Sequence, residues 1–217
     1  VEKSYLSLEH QQTKDNLNRV QTTINLSLAN IDIFLKAWSN WDEIYQYVID
    51  KNTKFVDDNL QPDSLAMYHI NMILLYNTEG NPVFTKEINP GANQFFPLSN
   101  DVARLFQPGG KLRRLVTLPE SGHDTVGLIQ TDSKRILAFA SRRILPTSSV
   151  GVASGTIIFG QYINENYLNI LKKNTKLKIV LYPIQTINQF PELGDVTSSL
   201  TTNDSYRVNV NDKISFL

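Results

Sequence analysis

LNRVQTTINLSLANIDIFLKAWSNWDEIY, residues 17–45, carries the clearest periodic pattern in the chain. Its apolar side chains recur every three or four positions, at Leu17, Val20, Ile24, Leu28, Ile31, Leu35, Trp38, Trp41 and Tyr45. That spacing predicts an α-helix, and its mean of about 3.5 residues also suits the seam of a coiled coil. We therefore expect a long helix over most of residues 1–48, exposed or dimeric in its first half and packed on a sheet in its second.

Strand patterns follow this helix. Residues 68–76 (YHINMILLY) are short and apolar, and the turn residues 77–80 (NTEG) separate them from a second extended run at 82–84. This arrangement predicts a β-hairpin. Residues 135–145 and 150–159 predict two more strands of an antiparallel meander. The predicted fold class is therefore α+β, with a long N-terminal helix packed on a mainly antiparallel sheet.

Shorter patterns complete a single domain over residues 1–217, in which the part from 68 to 217 forms the sheet with its flanking helices. Two segments, 99–106 and 164–173, have the apolar spacing of short helices. Three more, 177–182, 196–202 and 206–216, predict a further strand and a closing hairpin. We find no repeat or linker that would divide the chain.

Composition excludes several classes of function. The chain of 217 residues has 21 basic and 21 acidic side chains, so no bulk field draws it to nucleic acid. Cysteine is absent, which removes disulfides and thiolate chemistry. No apolar run reaches the ~20 residues of a membrane span. Because the chain starts without Met, we expect a segment of a longer protein.

Motifs for catalysis are missing or misplaced. In residues 151–155 (GVASG) the serine stands one place too late for a nucleophile elbow. Residues 109–111 (GGK) lack the rest of a phosphate loop. His10, His69 and His123 fall in different elements without metal-ligand spacing. We expect no catalytic residues, no metal and no cofactor.

A cluster of aromatic residues marks the end of the predicted helix. Trp38, Trp41 and Tyr45 share one helix face, which favours either an aromatic anchor in the core or the roof of a ligand pocket. In the second case Asp42 and Tyr45 would offer polar atoms at the pocket edge.

Two adjacent arginines provide the other candidate site. Arg142 and Arg143 should point to opposite faces of the sheet, so we expect one to face solvent and the other to face whatever covers the sheet. The one on the covered face needs a carboxylate from the protein or from an anionic ligand. We favour Arg142, with Tyr68 and Asn71 nearby and residues 86–124 as the cover. The predicted ligand-binding residues are Asp42, Tyr45, Tyr68, Asn71, Arg142 and Arg143.

Several short motifs resemble one family. They are Trp41-Asp42-x-x-Tyr45-x-Tyr47, Asn59-Leu60, Leu74-x-x-Asn77-x-x-Gly80 with Val83, and the runs 140–145 (ASRRIL) and 155–160 (GTIIFG). Their order and spacing, over about residues 38–171, resemble the fourth class of CHASE sensory domains. Arg143 stands where that family usually has a proline.

The resemblance implies an extracytoplasmic, PAS-like or Cache-like sensor between two membrane helices. Its receptor would be a histidine kinase or a diguanylate cyclase or phosphodiesterase, and its ligand a small molecule, which the arginine argument suggests is anionic. We also expect a homodimer through the N-terminal helix and no nucleic-acid partner. The alternatives are a ligand-free dimerisation or protein-interaction module and, third, an enzyme.

Overall fold

The computed structural model describes residues 2–89, 93–118 and 124–181 of the chain. Six helices occupy these residues: α1 (Glu2–Ser39), α2 (Asp42–Asp50), α3 (Thr53–Asn59), α4 (Pro62–Met67), α5 (Asn100–Phe106) and α6 (Glu165–Thr175). Six strands accompany them: β1 (Met72–Asn77), β2 (Pro82–Asn89), β3 (Gln94–Pro97), β4 (Thr125–Gln130), β5 (Ile136–Ile144) and β6 (Gly155–Tyr162). A single 3-10 turn, Arg113–Leu115, follows α5.

The strands form one antiparallel sheet in the order β3-β2-β1-β6-β5-β4. Its two central strands, β1 and β6, are almost wholly buried, since helices or loops cover both faces. The sheet and its covering elements belong to a compact unit made of Ser27–Asn164. The predicted class, a long helix with an antiparallel sheet, is what the structure has.

One face of the sheet packs against the later turns of α1 and the short helices α2 to α4. Strand alternation directs Ile73, Ile157 and Phe159 to this face. They meet Ile31 and Leu35 of α1, and the whole cluster excludes water. Because α1 contributes its last turns to this core, we call this the helical face.

The opposite face packs against α5 and the 3-10 turn, and we call it the loop face. Leu74, Phe139 and Ile158 point to it from three strands. Val102 and Leu115 are among the side chains that cover them, and both are buried. The sheet therefore has a separate apolar cluster on each side.

The second compact unit comprises Val1–Leu26 and Glu165–Leu217. In its described part, Arg19 Nη1 of α1 donates to the carbonyl of Thr175 at 3.0 Å, at the end of α6. Leu17, Val20 and Ile24 are buried, so this stretch of the predicted seam is not open to a partner chain. Within the described residues, every helix lacks the combined length and apolarity of a bilayer span.

Several predicted boundaries were wrong. The long helix does not run to residue 48, because Asn40 and extended Trp41 (φ −126°) separate α1 from α2. The strand expected at 68–76 starts only at Met72. Before it lie α4, which Pro62 begins, and His69 in a left-handed turn (φ 60°).

The strand expected at 150–159 starts at Gly155 and continues to Tyr162. A loop precedes it, with positive φ angles at Ser149 and Gly151 that strand residues do not adopt. Residues 177–181 are not a strand. The closing hairpin predicted at 196–216 lies outside the described residues.

Candidate functional site

An ion pair joins β5 to α1 across the helical face. Arg142 Nε donates to Asp32 Oδ1 at 2.9 Å, and Arg142 Nη2 donates to Asp32 Oδ2 at 2.8 Å. Arg142 Nη1 also donates to Asp124. The two side chains of the bidentate pair are 15% and 24% exposed, so the pair is largely removed from water.

Burial by itself lowers the pKa of Arg142, but the hydrogen bonds that Arg142 donates to Asp32 and the charges of both carboxylates outweigh it and raise the pKa. The guanidinium is thus satisfied by the protein. This is the protein-partner alternative that the sequence left open for the arginine on a covered face. A ligand role for Arg142 stays a prediction.

Arg143 points the other way. Alternation along β5 puts it on the loop face with Phe139, and it is half-buried there. Both faces of the sheet are covered, so the expectation that one arginine would face solvent was wrong. No carboxylate among the described residues forms an ion pair with Arg143.

Asp42 and Tyr45 lie at the break between α1 and α2, where they hold the loop that joins β5 to β6. Thr147 N donates to Asp42 Oδ1 at 2.9 Å, and Asp42 N donates to Thr147 Oγ1 at 3.2 Å. Tyr45 OH donates to the carbonyl of Val152 at 3.2 Å. Leu145 N adds a bond to the carbonyl of Ser39 at 2.8 Å. These two predicted residues therefore fasten a loop to the helix break.

The aromatic cluster packs as an anchor. Trp38 contacts Trp41 edge-on, with centroids 5.8 Å apart, and also Phe159 of β6 at 5.7 Å. Trp41 reaches Phe55 of α3 at 5.6 Å. Trp41 and Tyr45 are only half-buried, although their shared face on one continuous helix would predict fuller burial. The reason is that Trp41 lies in the extended break between α1 and α2.

Tyr68 and Asn71 are not brought together with Arg142 or Arg143. Tyr68 ends α4, is 59% exposed and stacks on Phe34 with centroids 4.1 Å apart. Asn71 is buried, and its Oδ1 accepts from Tyr162 N at 2.9 Å while its carbonyl accepts from Ile88 N at 2.8 Å. Asn71 thereby connects β1 to both of its neighbouring strands.

A polar cluster on the loop face was not found from the sequence. Arg135 Nη2 donates to Asp101 Oδ1 at 2.6 Å and to Ser99 Oγ at 2.6 Å, and Ser99 Oγ donates to Glu87 Oε1 at 2.5 Å. Ser133 Oγ donates to Asp101 Oδ2. The guanidinium of Arg135 also lies 4.5 Å from the centre of the Tyr162 ring.

This cluster, which we call the Arg135 cluster, joins β2, α5 and the β4–β5 turn. Burial raises the pKa of Asp101, but hydrogen bonds from Ser133, Thr131, Arg135 and Ser99 outweigh it and hold the pKa well below the usual range. Burial, reinforced by Glu87, raises the pKa of Tyr162 above its ordinary value. Asp101 is therefore ionised and Tyr162 neutral at physiological pH.

The described residues form a small surface groove but no cluster of metal ligands. Across the described ranges, no three His, Asp or Glu side chains come together in a way that could hold a metal ion. A surface groove of about 250 Å³ lies between α2 and α3, with Tyr47, Phe55 and Asp58 in its wall. Its lining includes none of the six predicted ligand-binding residues.

Comparison with known proteins places this architecture in a wider group. A sequence model of the CHASE4 domain matches residues 23–182 of the chain. The methanogenesis regulatory histidine kinase FilI of Methanothrix harundinacea (strain 6Ac) is 23% identical over 164 residues. That alignment covers 76% of this chain and 17% of the kinase, so the chain spans less than a fifth of that relative's length.

Among solved structures, the periplasmic domain of Vibrio cholerae LuxQ resembles this chain with a TM-score of 0.56 and 12% identity. The match covers 89% of this chain and 88% of the LuxQ chain. At that identity the likeness shows a shared fold, and it confirms the predicted PAS-like class.

Proposed function

The chain belongs to the CHASE4 domain family, whose members are extracytoplasmic sensory domains, and on that basis we propose that it is the ligand-sensing input domain of a membrane receptor. Membrane helices would flank it in the full-length receptor. The output would be a histidine kinase, as in FilI, or an enzyme of cyclic-dinucleotide metabolism. In this proposal the 217-residue chain senses and does not catalyse.

The bidentate pair between Arg142 and Asp32 is the observation that carries the proposal. Two parallel hydrogen bonds between a strand and a helix resist sliding and rotation better than apolar contacts do. A change in sheet geometry would therefore be passed to α1. Since coupling between sites travels through rigid elements with discrete contacts, α1 is the element that would carry the signal.

The ligand in this proposal is small and anionic, and it binds at the loop face. Arg142 already has two carboxylates, whereas Arg143 has none among the described residues. Asp42, Tyr45 and Asn71 are engaged by the backbone of the protein itself. This supports Arg143 over Arg142 as the arginine that meets a ligand.

The receptor is a homodimer in this proposal, with α1 at the interface. Ile33 is 66% exposed, and the exposed small residues Ala29 and Ala37 lie four positions to either side of it. Leu26, seven positions before Ile33, is 59% exposed. This spacing matches one side of a coiled-coil seam, and its apolar character supports a second copy of the chain as its partner.

The test is charge reversal in the full-length receptor. Asp32→Arg and Arg142→Asp, made singly, should each change the basal output activity by about fivefold or more, the lower end of typical coupling factors. The double reversal should return the output toward wild type, because it restores opposite charges. Membrane abundance and thermal unfolding of the isolated chain would show that the variants fold.

Arg104→Asp is the matched control. Its pair with Asp132 is exposed on both sides, at 60% and 63%, so the reversal should leave the output unchanged. A receptor whose output is unaffected by both single reversals at positions 32 and 142 would contradict the proposal. In that case a ligand-free dimerisation module becomes the better account.

A further inference from the structure

Strand β5 and the residue before it present three arginines, and two of them have carboxylate partners. Arg135 pairs with Asp101 and Glu87, and Arg142 pairs with Asp32 and Asp124. Arg143 is half-buried on the loop face and has no such partner within the residues that the structure describes. A guanidinium partly removed from water without a counter-charge is costly, so its environment calls for an anion.

Arg143 begins a row of polar side chains across the sheet. In the β5–β6 ladder it lies opposite Thr156, and in the β6–β1 ladder Thr156 lies opposite Tyr76. Residues paired in this way point to the same face, and neighbouring strands are about 4.8 Å apart. The row thus spans roughly 10 Å of the loop face. Thr156 and Tyr76 are buried, at 2% and 6% exposure.

A second arginine lies at the turn that follows Tyr76, where Arg113 Nη2 packs close to Gly80. Arg113, in the 3-10 turn, is close enough to Tyr76 for its charge to counter part of the effect by which burial raises the pKa of that tyrosine to about 12. Its Nη1 donates to the neutral carbonyl of Phe106 at 3.3 Å, and no described carboxylate pairs with it. Like Arg143, it is half-buried and so reachable from solvent.

An unsatisfied hydroxyl lies beside the row. Ser154, two residues before Thr156 and next to the first residue of β6, is 8% exposed, and its Oγ has no hydrogen-bond partner. A buried hydroxyl left without a partner costs about 1–3 kcal/mol, so such groups in native proteins usually have a reason to be there. Here it adds a potential donor where Arg143 and Thr156 already lie.

We propose that Arg113, Tyr76, Thr156 and Arg143 form a binding site for a small dicarboxylate, with one carboxylate at each guanidinium and the hydroxyls between them. The planar fork of arginine matches a carboxylate with two parallel hydrogen bonds, and two such forks, at Arg143 and near Tyr76, select two carboxylates. This inference rests on the proposed sensory function and names the class of ligand.

The experiment is calorimetric titration of the 217-residue chain with sodium succinate, at constant ionic strength. Wild type should bind succinate at least about tenfold more tightly than acetate or inorganic phosphate, because each of those offers a single anionic group. Arg143→Ala and Arg113→Ala should each weaken succinate binding by about tenfold or more, and Arg143→Lys should not restore it, since lysine cannot form the fork.

Arg104→Ala is the control of equal charge change, and it should leave succinate binding as in wild type. Thermal unfolding of each variant would show that it is folded before titration. The inference is overturned by an absence of succinate binding to the wild type, by binding that survives both arginine substitutions, or by acetate binding as tightly as succinate. Charge reversal at positions 32 and 142 tests the sensory proposal separately, so the two can fail independently.

Discussion

Arg142 and Asp32 are separated by 110 residues in the chain, yet both oxygens of the aspartate accept hydrogen bonds from the one guanidinium. Their contact is a polar link between β5 and α1, beside the apolar cluster of the helical face. Asp32 lies in the C-terminal part of α1, the longest element of the structure. A movement of β5 would therefore act on this part of the helix.

Removing either partner should be costly, because the other charge is left largely buried. We expect Arg142→Ala and Asp32→Ala each to lower the free energy of unfolding by about 2–4 kcal/mol, near the lower end of buried pairs. Urea unfolding gives these values, and a double-mutant cycle isolates the coupling, expected at about 1–3 kcal/mol.

Arg104→Ala serves as the surface comparison, and it should change stability by less than about 0.5 kcal/mol. If Arg142→Ala lowered stability no more than Arg104→Ala, the Arg142–Asp32 pair would not contribute to stability. The argument that this pair couples β5 to α1 would then fail.

The fold could be predicted from the sequence because the long helix and the central strand each have a characteristic arrangement of apolar residues. The spacing in residues 17–38 is that of α1, and the apolar run 72–76 is the buried centre of β1. The ends of the elements depended on local chemistry that periodicity does not report. Pro62 starts a helix just before the predicted strand, and Asn40 with Trp41 interrupts a face whose spacing continues unbroken.

The polar sites could be predicted only in part, because their partners come from distant segments. Strand alternation placed Arg142 and Arg143 on opposite faces, which is correct, but nothing near them in sequence identifies Asp32 as a partner. The Arg135 cluster shows the same difficulty. Its carboxylates, Glu87 and Asp101, lie on two different elements, and the one local sign was the polar turn before Arg135.

Trp41 should matter for stability even though it is only half-buried. It fills the break between α1 and α2 and contacts Trp38 and Phe55. Trp41→Ala should lower the free energy of unfolding by about 2–4 kcal/mol, somewhat below the range for a fully buried tryptophan. Thermal or urea unfolding measures it.

Tyr68→Ala is the comparison for Trp41, since Tyr68 is also aromatic and stacked on Phe34 but is 59% exposed. Its cost should be about 1 kcal/mol or less. Equal losses for the two substitutions would mean that Trp41 is not an anchor of the helix break.

Ile33 tests the proposed dimer. Ile33→Asp places a charge in the middle of the exposed apolar stripe of α1, so it should weaken self-association by about tenfold or more while leaving the fold of the monomer intact. Sedimentation equilibrium of the chain measures the association. Gln107→Asp adds the same charge at an exposed position outside α1 and should have little effect. A dimer equally stable in both variants would place the interface elsewhere.

The lowered pKa of Asp101 predicts how the stability of the folded chain falls in acid. Its pKa is held well below the ordinary value in the folded chain, chiefly because hydrogen bonds from Ser133, Thr131 and Arg135 outweigh the effect of burial. An unfolded aspartate titrates near pH ~3.9. The folded chain therefore gains stability from Asp101 fully above that pH, and it loses this gain as the pH falls through the lower, folded pKa.

Asp101→Asn should remove that gain. We expect the variant to be less stable than wild type by roughly 2 kcal/mol at pH 7. The difference should shrink as the pH falls below about 4, because the unfolded wild-type chain then binds a proton at Asp101 that the folded chain does not yet bind. Asp132→Asn, whose carboxylate is 63% exposed, should show no such convergence. Urea unfolding of the three proteins between pH 2 and pH 7 gives these free energies of unfolding. A difference between wild type and Asp101→Asn that stayed constant over this range would mean that the Asp101 carboxylate is not what the Arg135 cluster stabilises.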